Sequence, residues 1–323
     1  MFNVKDKRVK LRKLPEKVVD IDVKYDTDVS LIKTTILNTS DISNLQNYIP
    51  ELVMATWNED INNFNASITD EDRQKFLFRT LQGKFIPTAL DSINVTFKIE
   101  GMTWHDVSHL IRHKDFSFAA DCSGDKIIEN RVIAQPEFIE ELHLENEYNF
   151  AMKTLISLYN KAINHGVHIQ DARLMLPRTM TTFYYVTGSL NACLKFIRQR
   201  IDRQVQPKAD NIMAMQLLLE LCKILPQLTC IISPDIENTF YTKETLTNFA
   251  SKWEMPLPQN VSKLKGKIQN EDFVYDKPRD ALPGNKTFVK LWKEYTAQFY
   301  KMQKEYYDSH KELVDECNTG DWR

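Results

Sequence analysis

The stretch SINVTFKIE at 92–100 constrains the fold more than any other part of this chain. Ile93, Val95, Phe97 and Ile99 fall on one side, while Asn94, Thr96, Lys98 and Glu100 fall on the other, the period of a β-strand. Gly101 is read as its end, and Thr103 is placed to cap a helix that runs through His113. A second β-branched and aromatic run, TMTTFYYVT at 179–187, supplies another strand, and KVVDIDVK at 17–24 alternates in the same way. Helices are predicted around these strands, at 43–55, 70–81, 136–165, 170–176, 189–203, 210–225 and 286–316. The helix at 210–225 is apolar nearly all round, which places it inside the protein. The last helix carries Phe288, Trp292, Tyr295, Phe299, Met302 and Tyr306 at alternating spacings of four and three. That is a packing seam, serving either docking on the same chain or association of subunits. Between these two helices, 256–283 is polar and holds four prolines, so it reads as a linker or a surface loop.

Charge and cysteine content remove several classes of function. The 42 Lys and Arg nearly balance 44 Asp and Glu, a net charge of −2, so no global field favours nucleic acid or a membrane surface. No apolar run reaches the roughly 18 residues of a membrane span, and the charged start MFNVKDKRVKLRK leads into no signal-type segment. Five cysteines without a CxxC pair indicate neither a disulfide framework nor a zinc knuckle. A reducing compartment, most simply the cytoplasm, is the expectation. With eight glycines and no GxGxxG or GxxxxGK[ST], a Gly-rich phosphate loop is absent from the sequence.

Polar residues cluster in two places. On the helix after Thr103, Trp104, Val107, Leu110 and Ile111 share one side, and His105, His109, Arg112 and His113 share the other. This polar side is a solvated face, a metal site, or a site for an anion or cofactor. Metal is disfavoured because imidazoles two turns apart, about 12 Å, cannot close on one ion from a single helix. On the helix at 189–203, Leu190, Cys193, Leu194 and Ile197 form a buried stripe, and Arg200 falls where that stripe would continue. Such a guanidinium is either paired internally or aimed at a ligand, and Arg173, hemmed by Leu174, Leu176 and Pro177, carries the same ambiguity.

Read together, these segments resemble the flavin-dependent thymidylate synthases. That family has a strand and a helix ending in Arg-His-Arg, with a Ser after seven more residues; here the segment is RHKDFSFAADCS, 112–123. Downstream, ARLMLPRTMTTFYYVTGSLNACLKFIRQRIDRQVQ at 172–206 is similar to the family's second pattern without a gap. Upstream, FIPTALDSINVTFKIEGM at 85–102 is similar to its threonine-and-acid segment running into a strand. The resemblance implies an α/β (α+β) fold, a twisted sheet flanked by helices. To this the chain adds a C-terminal helical extension, so that 1–28 is a lead-in and strand, 29–250 the catalytic domain and 251–323 a linker and helix. It also implies a homotetramer with FAD at subunit interfaces. The implied reaction is reductive methylation of dUMP to dTMP, with NADPH and methylenetetrahydrofolate as co-substrates. No metal is implied.

By position, the resemblance places Arg112, His113, Lys114 and Thr88 on flavin, and Ser189, Asn191 and Lys195 on flavin or folate. Arg173 and Arg200 would hold the nucleotide and, with His113, carry the chemistry; His109, Arg112 and Cys122 or Ser123 would add nucleotide contacts. The chain departs from the pattern in several places. Lys114 replaces an Arg, Cys122 stands at the motif serine unless a one-residue shift brings in Ser123, and Ala119 and Ala120 replace an Asn and an acid. Gly124 (Asp125 with the shift) replaces an Arg, while Asn191 and Lys195 replace other polar residues. These changes open two alternatives: another pyrimidine deoxynucleotide or a hydroxymethyl product, and a non-catalytic nucleotide-binding or assembly protein.

Overall fold

A computed structural model of the chain describes residues 29–39, 45–54, 68–121, 132–203, 206–234 and 283–319. The strand expected at 17–24 and nearly all of the polar run at 256–283 lie outside them. A strand β1 (Lys33–Thr39) comes first, followed by helix α1 (Leu45–Met54) and helix α2 (Asp70–Gln82). Thr69 opens α2 with a capping box: its Oγ1 accepts from the Asp72 amide, and the Asp72 carboxylate accepts from Thr69 N–H. A 3₁₀ turn (Pro87–Ser92) leads into β2 (Asn94–Thr103), and α3 (Trp104–Leu110) and β3 (Phe116–Ala120) follow. The alternation read in 92–100 holds: Val95, Phe97 and Ile99 are fully buried, while Asn94 is exposed and Lys98 and Glu100 are half-buried.

Gly101 does not end this strand. It forms a bulge at φ 76°, beyond which Met102 and Thr103 go on pairing. A Cβ there would sit 1.8 Å from the Leu31 carbonyl oxygen, so glycine is the residue that lets these two segments touch.

The helix expected at 136–165 is two helices, α4 (Glu137–Glu141) and α5 (Glu145–Asn164). They break at His143, which has φ 56°. The break frees α4 to point two carboxylates at the C-terminal region: Glu137 accepts from Thr287 N–H at 2.8 Å, and Glu141 from Gly284 N–H at 2.7 Å. A short helix α6 (Ile169–Ala172) and a 3₁₀ turn precede β4 (Thr181–Ser189). Helix α7 (Leu190–Arg200) and the central helix α8 (Lys208–Ile224) come next. The last expected helix is also interrupted, at His310, giving α9 (Lys286–Ser309) and α10 (Lys311–Thr319).

The sheet has the order β1-β2-β4-β3 and every pair is antiparallel. One face is buried by α7 and α8 in a single large apolar cluster. The other face carries Lys98 over the rings of Phe183 and Tyr185, at 5.4 and 5.8 Å. As its composition requires, α8 is buried on nearly every side, from Ala209 to Cys222. The aromatic seam of α9 docks on the same chain: Phe288, Trp292 and Phe299 belong to the main cluster, and Tyr295 and Met302 pack against it. Gln216 fastens this assembly from the middle of α8. Its amide donates to the Ile32 carbonyl and to Tyr295 Oη and accepts from Thr34 N–H, at 2.7–2.9 Å. A second cluster joins α5, α6 and the start of β4 through Ile156, Tyr159, Ile163 and Met180. Among the described residues, no helix is long and apolar enough to cross a membrane.

Candidate functional site

Two segments distant in sequence meet where α3 and α7 end. A capping box between Thr103 and Asp106 starts α3, and the helix unwinds after Leu110 instead of continuing to His113. Amides of Arg112 and His113 then turn back onto the carbonyls of His109 and Leu110. This turn reverses part of the expected facing: Ile111 is 51% exposed, while the His113 ring tucks against Phe196 and Phe116, at 4.9 and 6.1 Å between centroids. Phe116 can lie there because its partner on β4 is Gly188. A Cβ on Gly188 would come within 2.3 Å of the Phe116 ring.

Arg200 arrives from the opposite direction at the C-terminal end of α7, 9% exposed. Its Nε–H donates to His113 Nε2 at 2.8 Å, and an Nη1 hydrogen goes to Asp210 Oδ2 at 2.9 Å. Gln206 Oε1 accepts from the same Nη1, and the His109 carbonyl accepts from Nη2 at 3.5 Å. Of the two readings open for this guanidinium, the structure takes the internal one. Burial pushes the Asp210 carboxyl up to about 6, against the pull of Arg200. Burial also lowers the His113 and His109 imidazoles, with Arg200 adding to both. His109 Nδ1 lies 3.9 Å from Asp210 Oδ2, and among the described residues neither that nitrogen nor Asp210 Oδ1 has a hydrogen-bond partner. Both nevertheless sit in the buried interior, where an open polar atom is costly.

The other expected site residues distribute unequally. Arg112 and Lys114 flank His113 and are exposed, with no side-chain partner among the described residues. Lys195 is exposed, its Nζ 3.9 Å from Asp115. Ser189 caps α7 by accepting from Ala192 N–H, and both Ser189 and Asn191 donate to Asp91 Oδ1, at 2.9 and 3.0 Å. Thr88 is exposed on the same 3₁₀ turn as Asp91. Arg173 is not part of the Arg200 network: it is exposed beside α6, donating from Nε to the Gln170 carbonyl at 3.1 Å. Cys122 and Ser123 lie outside the described residues. His105 and His109 stack edge to face at 5.8 Å, and no group of three metal-binding side chains occurs among the described residues.

Sequence reasoning missed Asp210, Gln206 and Asp91. For Asp210 a signal was present: an acid near the start of a helix with no polar face has to find a cation or stay protonated.

A family model described as "Thymidylate synthase complementing protein" matches residues 36–227. A flavin-dependent thymidylate synthase of Pyrococcus furiosus is 28% identical over 176 residues, 53% of this chain and 71% of that protein. The corresponding protein of Pyrococcus abyssi is 24% identical over the same length and shares. Among solved structures, a UMP/dUMP methylase, PolB from Streptomyces cacaoi, bound with 5-Br dUMP, superposes with a TM-score of 0.52 at 15% identity. That match covers 64% of this chain and 94% of the other. The likeness concerns the fold.

Proposed function

This chain belongs to the flavin-dependent thymidylate synthase family, and on that basis we propose that it reductively methylates dUMP to dTMP. The observation that carries this reading is the meeting of Arg200 with the segment Arg112–His113–Lys114. The contact unites the family's two patterns in one cluster although they lie 87 residues apart.

The side chains present suit an anionic dinucleotide such as FAD. Two exposed cations with no side-chain partner among the described residues flank an imidazole whose second nitrogen also has none there, and Lys195 adds a third positive charge. In this reading Arg112, Lys114 and Lys195, with Thr88, meet the diphosphate or ring edge of the flavin. Charged hydrogen bonds from guanidinium and ammonium groups favour phosphate oxygens. Bound FAD would supply the redox chemistry, passing reducing equivalents from NADPH to the pyrimidine, with methylenetetrahydrofolate as the source of carbon.

The chain's own task is to hold and polarise. Arg173 and Arg200 would set the positive potential around the nucleotide. A cation beside a pyrimidine carbonyl favours the negative charge that builds on that oxygen during reaction at C5. Ser189 and Asn191, which donate to Asp91 at the start of α7, would face flavin or folate. Arg173 would act from a neighbouring copy. It stands beside Leu174 at 74% exposure, and Phe150 and Leu158 on α5 are exposed as well; exposed apolar side chains of this kind support a homo-oligomer such as a tetramer. The catalytic unit in this proposal spans 29–250, with α9 and α10 docked onto it.

A second reading has an observation of its own. Ala119 and Ala120 are exposed on β3 where the family pattern has an Asn and an acid, so contacts to the nucleotide are reduced there. This favours another pyrimidine nucleotide, or a hydroxymethyl product, within the same reaction class. The test is direct. Purified protein should take up FAD, show its absorption bands and oxidise NADPH faster with dUMP present. Product mass from dUMP and dCMP separates methyl from hydroxymethyl transfer. A protein that cannot be loaded with FAD overturns both readings, and flavin binding without turnover in either assay indicates a binding or assembly protein.

A further inference from the structure

Arg200 leaves its histidine neighbour no choice of tautomer. A guanidinium only donates, so the 2.8 Å contact from Arg200 Nε requires a bare lone pair on His113 Nε2. The imidazole is therefore neutral with its hydrogen on Nδ1, and burial together with the Arg200 charge keeps it neutral. Among the described residues this Nδ1 has no partner. It carries the ring's single N–H, on a residue whose two neighbours in sequence, Arg112 and Lys114, are exposed cations.

What holds Arg200 in this orientation is the start of α8. Asp210, 1% exposed, accepts from Nη1, and Gln206 accepts from the same nitrogen. The next residue, Asn211, donates from Nδ2 to the carbonyls of Arg200 and Asp202, at 2.8 and 3.1 Å. The side-chain head and the backbone root of Arg200 are thus gripped by consecutive residues of one buried helix. Asp210 contributes no apolar packing to a helix that is buried on nearly every side, and the guanidinium is the cation it meets there.

We propose that Asp210 is a positioning residue: by fixing Arg200 it locks His113 as the Nδ1–H tautomer, so that the site offers its ligand a ring donor and selects a hydrogen-bond acceptor. The acceptor is a phosphate or carbonyl oxygen, the chemistry shared by flavin and by a pyrimidine nucleotide. That identification of the ligand rests on the function proposed above; the tautomer does not.

The test uses full-length protein with ¹⁵N-labelled histidine, at a pH about one unit above the ordinary imidazole value. Long-range proton–nitrogen spectra read the tautomer, and His113→Gln assigns the signal. The wild-type ring should show a protonated Nδ1 and a bare Nε2. Asp210→Asn should shift His113 toward the Nε2–H form and weaken FAD binding on the order of tenfold, the worth of one charged hydrogen bond. Asp210→Glu should restore both in part. An Nε2–H tautomer in the wild type, or an unchanged His113 signal in folded Asp210→Asn, overturns the proposal. If Asp210→Asn does not fold, Arg200→Lys applies the same test, since an ammonium cannot hold Asp210 and His113 in the same fork. Wild-type protein that takes up no flavin, yet shows the Nδ1–H tautomer and loses it in Asp210→Asn, supports the relay and overturns the flavoenzyme reading.

Discussion

Arg200 and His113 share a hydrogen bond of 2.8 Å that joins the end of α7 to the turn after α3. The contact is buried on one side by Phe196 and backed by the Asp210 carboxylate. Removing the guanidinium strands that carboxylate in the interior. Arg200→Ala should therefore destabilise the protein by about 3–5 kcal/mol, read by chemical denaturation. An added Asp210→Asn change should recover a substantial part. A loss no larger than that of an exposed arginine would show that the pair is not a structural unit.

The pH dependence of stability separates the two partners of Arg200. The Asp210 carboxyl titrates at about 6, above its ordinary 3.8, so the folded state holds its proton more tightly than the unfolded chain does. Its contribution is fully present below the ordinary value and is lost as pH rises through about 6, to the extent of about 2–3 kcal/mol. Relative to Asp210→Asn, the wild type should gain stability as pH falls across that window. A difference that stays flat with pH counts against the buried acid.

His113 has the opposite sign. Its imidazole is held below the ordinary 6.5, so its contribution is present above that value and is lost as pH falls through the lower folded value. Protonation at Nε2 would also set two donors against each other at Arg200. His113→Gln keeps an acceptor for Arg200 but cannot titrate, so the wild type should lose stability relative to this variant on acidification. Urea titrations at several pH values measure it.

Gly188→Ala tests the cradle under His113. The new methyl group would lie 2.3 Å from the Phe116 ring and 3.3 Å from the Asp115 carbonyl oxygen. Overpacking of this kind costs about 1–3 kcal/mol, and the displaced ring should weaken ligand binding beside His113. Phe116→Leu in the same chain should recover part of the thermal stability.

Phe299→Ala tests whether the C-terminal seam is core or appendage. Phe299 is fully buried in the main cluster, and its truncation should cost about 3–5 kcal/mol. A loss below about 1 kcal/mol in chemical denaturation would mean that α9 is dispensable to the fold.

The sequence announces elements where packing on one face repeats with a clear period. β2, β4, the stripe of α7 and the interior position of α8 were legible for that reason, and so was the seam of α9. β1 was not, because KTTILNT has no alternation; its place comes from pairing with β2 and from the Gln216 amide on α8. β3 is five residues long and is held by the gap that Gly188 leaves for Phe116. The break at His143 leaves no mark of its own in the helical pattern; the helix before it holds two carboxylates whose partners, Gly284 and Thr287, lie 143 and 150 residues further on. The site was half legible. Spacing put Arg200 on the edge of an apolar stripe, but its choice between a ligand and an internal acid depended on how α8 lies against α7, which no local pattern encodes.

Gln216 ties the first described strand to the last long helix through one amide, with α8 between them. A nascent chain therefore cannot complete its interior until Tyr295 and Phe299 have emerged from the ribosome. Until then the apolar side of α8 that awaits them is open to other chains. Production of this protein should respond to translation speed over the codons of α9 and to chaperone supply more than the sheet and its neighbouring helices alone would suggest.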